Sequence, residues 1–331
     1  MTPRVIPPGK VPSELLRRLL TDDAAAPPEL RLGPAIGEDA CALDVGAPST
    51  LVVATDPITF GGASPGRSAV LVNANDVAVT GARPRWFLAT ALLPPGSTEE
   101  SVEDLFGELR GALGAVGAVL VGGHTEVTDA VNRPVVAGQM LGLATHLIPT
   151  GGLRAGDVVL QIGPAPVEGA AVLADVVGER GQAVASEVLR AAAAAVDDPG
   201  ISVVAPALLA SELGAMAMHD PTEGGLAAAL WEMAGASGLA LRVDRSAVVW
   251  FIPGVEVCRV LAADPWATLA SGALLAGFAR GAADFAMQRL REAGYSCSPI
   301  AVAEPGTGVV DQHGDSIPWP ERDEVARLLD S

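Results

Sequence analysis

Short apolar segments separated by glycine and proline constrain the fold of this chain most. Apolar runs of about four to ten residues rich in Val, Leu and Ala are typical of buried strands, and longer stretches with helical periodicity predict helices. The two kinds of segment alternate along the chain, which favours an α/β (α+β) fold. In the first part of the chain the pattern predicts helices at 12–20, 67–80 and 98–116 and strands at 51–55, 85–93, 118–121 and 134–144.

The pattern restarts after a cluster of turn residues near 149–156. A chain of 331 residues is longer than one hydrophobic core usually organises, because single cores stop growing at about 250–300 residues. We therefore expect two domains, at 1–150 and 151–331. In the second domain the pattern predicts strands at 157–162 and 216–218 and helices at 167–177, 183–196, 202–213, 220–236 and 282–293.

Charge and cysteine content limit the partners and the location of the protein. The formal net charge is −18, and nucleic acids and anionic membranes are bound by basic surfaces, so the sequence argues against both partners. Cys41, Cys258 and Cys297 are isolated, which disfavours a structural zinc site or a disulfide framework. We find no apolar leader and no apolar run long enough for a bilayer, and we expect a cytoplasmic protein.

The predicted helix 67–80 carries the first candidate site. The sequence contains neither a P-loop nor a dinucleotide-binding glycine fingerprint, so a nucleotide site would need other parts. Asn73, Asp76 and Thr80 share one face of this helix among apolar neighbours. A carboxylate on a buried helix requires a partner, and a metal ion would supply one. Hydrogen bonds to adjacent backbone are the alternative.

Further carboxylates lie beside glycines and at a predicted strand end. Ligands bind at such positions in α/β proteins, and glycine lets the backbone approach a phosphate closely. Three or four oxygen ligands suit Mg²⁺. Each acid taken alone is also explained as a turn residue or a helix cap, so only the set points to a metal site. The set is Asp39 after Gly37, Asp56 after the strand 51–55, and Glu126 after Gly122 and Gly123.

A third candidate is the segment 220–225, Asp-Pro-Thr-Glu-Gly-Gly. Asp220 as N-cap, Pro221 in the first turn and Glu223 at the third position predict a helix start, which by itself explains these three residues. Glycine in a first turn costs about 1 kcal/mol of helix stability. The glycine pair therefore favours close approach by a ligand or by another helix.

Few basic residues and histidines accompany these candidates. Lys10 and Arg67 are candidates for phosphate contacts, and exposed solubilising charges are the alternative for each. His124 and His219 each lie beside a candidate site. The sequence supports no Ser-His-Asp or Cys-His catalytic arrangement.

Five motifs in a fixed order resemble those of one protein family. The chain is similar to the aminoimidazole-ribonucleotide synthase (PurM-like) superfamily, and within it to the hydrogenase-maturation HypE-like branch. Gly9-Lys10, the segment 167–174 and the segment 271–275 carry the similarity to that branch. The five motifs are Gly37-Glu-Asp-Ala40, Thr55-Asp56, Asn73-Ala-Asn-Asp76 with Gly81-Ala-Arg-Pro84, Gly122-Gly-His-Thr-Glu126 and Asp220-Pro-Thr-Glu-Gly-Gly225.

The resemblance implies a two-domain PurM-like fold. The N-terminal mixed sheet, flanked by helices, would pair with its twin across a homodimer, and a C-terminal α/β sandwich would cover a cleft holding ATP and Mg²⁺. The implied catalytic residues are Asp76, His124, Glu126 and Asp220, and the implied metal ligands are Asp39, Asp56 and Asp76. The implied nucleotide-binding residues are Lys10, Gly37, Asp39, Arg67, Asn75, Gly122, Gly123 and Thr125.

The implied function is ATP-dependent phosphorylation of an amide or carbonyl oxygen in a small or protein-bound, carbamoyl-type substrate. Two features depart from the family pattern. The branch ends in a Pro-Arg-Ile-Cys tail, whereas this sequence has no cysteine after Cys297. Several relatives carry an acid at the position of His124, which affects the expected metal count. The alternatives are a non-catalytic ATP-binding maturation partner and a small-molecule kinase of the thiamine-monophosphate type.

Overall fold

The strands form two mixed sheets, one from each half of the chain. The structure is a computed structural model and describes residues 30–32, 38, 40–46, 49–59, 64–180 and 183–330. Lys10, Gly37, Asp39 and the predicted helix 12–20 lie outside the described residues. The two sheets confirm the predicted α/β class.

The first sheet has the strand order β1-β2-β3-β6-β4-β5. Its strands pair antiparallel except β4 and β5, which are parallel and are therefore joined by a crossover helix. The strands are β1 (Leu30–Leu32), β2 (Cys41–Asp44), β3 (Thr50–Ile58), β4 (Arg83–Leu93), β5 (Val119–Val127) and β6 (Val135–Ala144), and the helices are α1 (Pro65–Val79) and α2 (Glu99–Val116).

Helix α1 begins with a proline, whose fixed φ suits a first turn, and it is buried along most of its length. Glycines in β6 let the helix lie close to the sheet. A Cβ at Gly138 would be 2.5 Å from the Asn73 side chain, and one at Gly142 would be 2.5 Å from Val77. The buried side chains of Phe87 and Met140 fill the adjacent core of the sheet.

Helix α2 is the crossover from β4 to β5. A capping box between Thr98 and Ser101 begins it, and Gly117, with a φ of +74°, ends it. Its apolar face buries Leu105, Leu109 and Leu113, as the helical periodicity predicts.

Strand β5 is longer than the sequence predicts. Residues 118–121 were expected as the strand, yet pairing with β4 continues to Val127. Glycine is required here because Gly123 has a φ of +149° and a Cβ would lie 2.0 Å from the Ala89 carbonyl oxygen. Gly123 therefore serves close strand pairing, which a glycine-rich sequence does not distinguish from a loop.

The second sheet has the strand order β12-β9-β11-β7-β10-β8. Its strands are β7 (Val158–Ile162), β8 (Ala217–His219), β9 (Ala240–Val243), β10 (Leu274–Phe278), β11 (Cys297–Glu304) and β12 (Gly308–Asp311). Its helices are α3 (Glu168–Glu179), α4 (Ser186–Ala193), α5 (Val204–Glu212), α6 (Gly225–Ser237), α7 (Ile252–Val260), α8 (Arg280–Glu292) and α9 (Glu324–Leu329). Helix α4 is shorter than the predicted 183–196, and an irregular turn at Val196–Gly200 follows it, in which Asp198 has an extended backbone (φ −142°, ψ 108°). Pro199 in this turn cannot donate a helical hydrogen bond.

The two halves share a hydrophobic core. Helix α1 packs against α5 and β8 of the second half, and one cluster of buried side chains runs from Val70 and Ala74 to Ile201 and Val203. Among the described residues no single helix is both long and apolar enough to cross a bilayer. The bent pair Ser186–Ala193 and Val196–Glu212 reaches that length and composition only when the two segments are joined across a 59° bend.

Candidate functional site

Asn73 fixes the backbone of Asp56. Its Oδ1 accepts a hydrogen bond from the Asp56 N–H at 2.8 Å, and its Nδ2 donates to the Asp56 carbonyl oxygen at 3.1 Å. Nδ2 also donates to the Ala69 carbonyl oxygen of the same helix at 2.8 Å. The side chain is fully buried, so both ends of its amide need such partners. The polar face predicted for α1 thus binds β3 to the helix.

Asp76 lies one helical turn after Asn73 and is buried. Asp56 lies on β3, directly beside that helix through the Asn73 contact, and its side chain is exposed. The third face residue, Thr80, hydrogen bonds to the Val77 carbonyl oxygen of its own helix at 2.7 Å. Hydrogen bonding to adjacent backbone, the alternative to a metal site, therefore describes Thr80 and, in part, Asn73.

Asp56 on β3 and the glycine motif of β5 lie at the same register position of the first sheet, with β6 and β4 between them. The register places Asp56 opposite Gly138, Gly138 opposite Ala89, and Ala89 opposite Gly123. Three strand spacings separate the first and last of these residues, about 14 Å at the backbone. Ligands of a single Mg²⁺ lie near 2 Å from the ion, so Asp56 and the β5 backbone of the same chain do not bind one ion together.

His124 and Glu126 project from the same face of β5. The His124 Nε2 lies 3.3 Å from Oε2 of Glu126, and both side chains are exposed. Thr125, between them, is also exposed and points to the other face. The motif therefore presents a His–Glu pair at the surface of the sheet edge.

Arg67 and Asn75 face the second half of the chain. Arg67 donates to the Val196 carbonyl oxygen at 3.0 Å and pairs with Asp197 at 3.0 Å. The buried Asn75 amide donates to the Ile201 carbonyl oxygen and accepts from the Val203 N–H, both at 2.8 Å. Two residues predicted to contact phosphate thus hold the segment that precedes α5.

Residues 220–224 form a turn before α6, and only Gly225 of the segment belongs to the helix. Gly224, not Asp220, occupies the N-cap position, and it has a φ of +83°. Gly225 has a φ of +60°, and a Cβ there would lie 2.6 Å from the carbonyl oxygens of both Trp266 and Thr268. The predicted N-cap is wrong because the backbone needs left-handed residues where the helix begins. The glycine pair predicted that another group lies close to the start of the helix, and in the structure that group is the backbone of residues 266–268.

Strand β8 brings Asp220 into the region where the two halves meet. Asp220 is buried directly after β8, which packs against α1. The preceding His219 is also buried, and its Nε2 lies 2.7 Å from Oε2 of Glu232 on α6. The turn is thus fixed on one side by a His–Glu contact.

Acidic side chains surround the other side of this turn. Asp323 accepts hydrogen bonds from the Gly224 N–H at 2.8 Å and the Val325 N–H at 2.7 Å. Burial raises the pKa of Asp323 to about 6, in spite of these bonds, and the nearby charge of Glu223 acts in the same direction. Burial also raises the pKa of Glu168, against a hydrogen bond with Ser271.

Sequence reasoning missed Asp323 and Glu232. Asp323 directly precedes α9 and caps it, a signal readable in the sequence. Its bond to Gly224 joins residues far apart in the chain, and no local pattern reports such a pair. The same holds for the contact between His219 and Glu232.

The donor chemistry at α1 and β3 fits a magnesium ion. Asp56 and Asp76 offer hard carboxylate oxygens, and Asn73 fixes the strand carrying one against the helix carrying the other. Asp39, the third predicted ligand, lies outside the described residues. Within the described ranges no group of three or more His, Cys, Asp or Glu side chains could hold a metal ion.

Comparison with known proteins identifies the family. Residues 37–144 match the N-terminal domain of AIR synthase related protein, and residues 154–313 match its C-terminal domain. A carbamoyl dehydratase HypE of Rhodobacter capsulatus is 30% identical over 256 residues, which cover 75% of this chain and 73% of the relative. The chain belongs to the AIR synthase related protein family.

A second curated relative belongs to the same branch. A carbamoyl dehydratase HypE of Cupriavidus necator is 29% identical over 265 residues, covering 77% of this chain and 73% of the relative. The predicted family, and the prediction that this family member is an enzyme, are confirmed.

Solved structures share the fold of this family member. The hydrogenase maturation protein HypE in complex with ATP superposes with a TM-score of 0.71 at 23% identity, covering 87% of this chain and 90% of that one. HypE from the HypE–HypF complex gives 0.70 at 19% identity, covering 86% and 94%. AaThiL complexed with AMPPCP and TMP gives 0.70 at 18% identity, covering 94% of both chains.

Proposed function

We propose that this protein uses ATP to phosphorylate the oxygen of a carbamoyl or related amide group, as a HypE-like dehydratase. The observation that carries the proposal is the pair of hydrogen bonds from the Asn73 side chain to the Asp56 backbone. These bonds hold Asp56 beside the helix that carries the buried Asp76. The names of the curated relatives and the ATP complex of one structural neighbour support the same reaction class.

The chemistry follows from the poor leaving ability of an amide oxygen. Transfer of the terminal phosphoryl group of ATP to that oxygen releases ADP and turns the oxygen into a phosphate leaving group. Loss of phosphate and of the two N–H protons then leaves a nitrile, so water is removed overall. A bound Mg²⁺ would neutralise charge on the transferred phosphoryl group.

Each residue of the site has a proposed role. Asp56 and Asp76, with Asp39, would hold the metal. Arg67, Asn75 and the glycines of β5 would lie near the phosphates, together with Lys10, Gly37 and Thr125. Asp220 would face the substrate from the second half, and His124 and Glu126 would act from the sheet edge.

We also propose that a second copy of the chain completes the site. Val119, Val121 and Val127 on β5 are 57%, 54% and 57% exposed at the edge of the first sheet. Apolar edge strands favour pairing with another chain. Asp56 and Gly123 are too far apart to serve one ion in the same chain, so a site that uses both would need the β5 of a second copy packed against the face of the first sheet rather than added at its edge. We separately propose that the chain divides into two domains, at 1–150 and 151–331. The cytoplasmic location remains a prediction from the sequence.

Turnover of a carbamoyl substrate tests this function. The purified protein, given Mg-ATP and a panel of primary amides and carbamoyl compounds, should release ADP only with an accepted substrate. Asp76→Ala should abolish release, whereas Asp284→Ala, an exposed position on α8, should retain it. Unchanged turnover in Asp76→Ala would contradict the site. ADP release with thiamine monophosphate instead would indicate the kinase reaction.

A further inference from the structure

The segment from Val196 to Val203, here called the latch segment, connects the two halves of the molecule. Its first two residues bind Arg67, and its end binds Asn75, so two positions on α1 hold it. Its middle packs against the second half, where a Cβ at Gly272 would lie 2.7 Å from the Gly200 carbonyl oxygen.

The two ends of the latch segment are held differently. Asn75 is buried and makes two hydrogen bonds to backbone, and its partner Val203 is also buried. The ion pair at the other end is accessible to solvent, since the Arg67 side chain is 32% exposed and that of Asp197 is 73% exposed. The Asn75 end is therefore a fixed anchor, and the Arg67 end can exchange its partner for another anion.

Asp197 is not needed to position Arg67. The guanidinium is separately held by its hydrogen bond to the Val196 carbonyl oxygen. The main effect of the Asp197 carboxylate, 3.0 Å away, is to neutralise the positive charge of Arg67. A neutralised guanidinium attracts phosphate less, and in a chain with a net charge of −18 few other cations compensate.

We propose that Asp197 competes with the phosphates of ATP for Arg67, so that nucleotide binding breaks the Arg67–Asp197 ion pair at this end of the latch segment. This inference rests on the proposed function, because it takes Arg67 as a phosphate contact. Asp197 thereby sets the affinity for nucleotide from the second half of the chain, without touching the substrate.

The test compares two neighbouring aspartates. Asp197→Asn and Asp198→Asn remove the same charge from the same exposed turn, but only Asp197 pairs with Arg67. Titration calorimetry with Mg-ATP should give roughly threefold to fivefold tighter binding for Asp197→Asn, the upper part of the range expected for an exposed ion pair. Asp198→Asn should bind as the wild type does.

A double-mutant cycle separates competition from a general charge effect. In an Arg67→Gln background, Asp197→Asn should no longer change the affinity. Unchanged or weaker binding in Asp197→Asn, or an equal gain in Asp198→Asn, would overturn the inference while leaving the proposed function intact. Failure of the wild type and all variants to bind Mg-ATP would instead refute the proposed function and the inference with it.

Discussion

The two sheets of this protein have the same number of strands but very different surroundings. In the second sheet β8 and β10 are buried at every residue, and β7 at all but its first. In the first sheet β5 is exposed at every residue except Leu120, although its sequence is largely apolar. Within the described residues the second sheet thus has three almost completely buried strands, whereas the first sheet leaves β5 uncovered.

This difference separates the tasks of the two halves. The buried strand β8 supports the Asp220–Gly225 turn, which is also held by contacts from α6 and from Asp323. An uncovered strand with glycines and a His–Glu pair is suited to meet another chain. We therefore attribute assembly to the first half.

The largest expected effect is on assembly. Val121→Asp places a charge at the centre of the exposed β5 surface, where pairing with a second copy would bury it without a partner. We expect the variant to be a folded monomer and the wild type a dimer, as measured by sedimentation equilibrium.

Phe285→Asp is the matched control in the second half. This side chain is also large, apolar and exposed, on α8. It should leave the dimer unchanged. If Val121→Asp has the same mass as the wild type, or Phe285→Asp alone dissociates it, β5 is not the assembly surface.

A smaller effect is expected from a single methyl group in β5. Gly123→Ala would place a Cβ 2.0 Å from the Ala89 carbonyl oxygen, so β4 and β5 would have to separate. We expect a loss of about 3 kcal/mol in the free energy of unfolding, measured with urea. Gly122→Ala is the control, because the nearest atom to its Cβ would be a Leu88 methyl at 3.7 Å. Equal stability of the two variants would show that the pairing at Gly123 tolerates a side chain.

The smallest effect concerns pH and the second half. The pKa of Asp323 is raised to about 6 by burial, from an ordinary value of 3.8, so the folded state binds its proton more tightly than the unfolded state. Its stabilising contribution is complete below about pH 4 and is lost as the pH rises through 6. The stability of the wild type relative to Asp323→Asn should therefore fall by about 2 kcal/mol between pH 4 and 7. Chemical denaturation at several pH values measures it, and a constant difference would contradict the assignment.

Much of the fold could be predicted from the sequence because most elements follow local rules. The helical periodicity and capping residue of α2 gave its bounds to within a residue. The glycine motifs were harder, because glycine serves loops, left-handed caps and close strand pairing alike. Gly123 lies within a strand and Gly224 caps a helix, whereas both were expected at loops or ligand contacts.

The candidate site was predictable in its residue types more than in its contacts. The face with Asn73 and Asp76 is visible from helical spacing, but the target of the Asn73 amide is the backbone of another element. Likewise Arg67 and Asn75 bind a segment more than a hundred residues away. Such pairings depend on how the two halves pack, which no local pattern contains.

The most direct test of the account is the magnesium dependence of ATP binding. Calorimetry should detect ATP binding by the wild type with Mg²⁺ and at least tenfold weaker binding in EDTA, a difference of about 1.4 kcal/mol. Asp76→Asn, which removes the charge and keeps the shape, should bind ATP equally weakly in both conditions. Equal affinity of the wild type with and without Mg²⁺, or full magnesium-dependent affinity in Asp76→Asn, would contradict the central claim that the α1 and β3 carboxylates hold the metal that binds ATP.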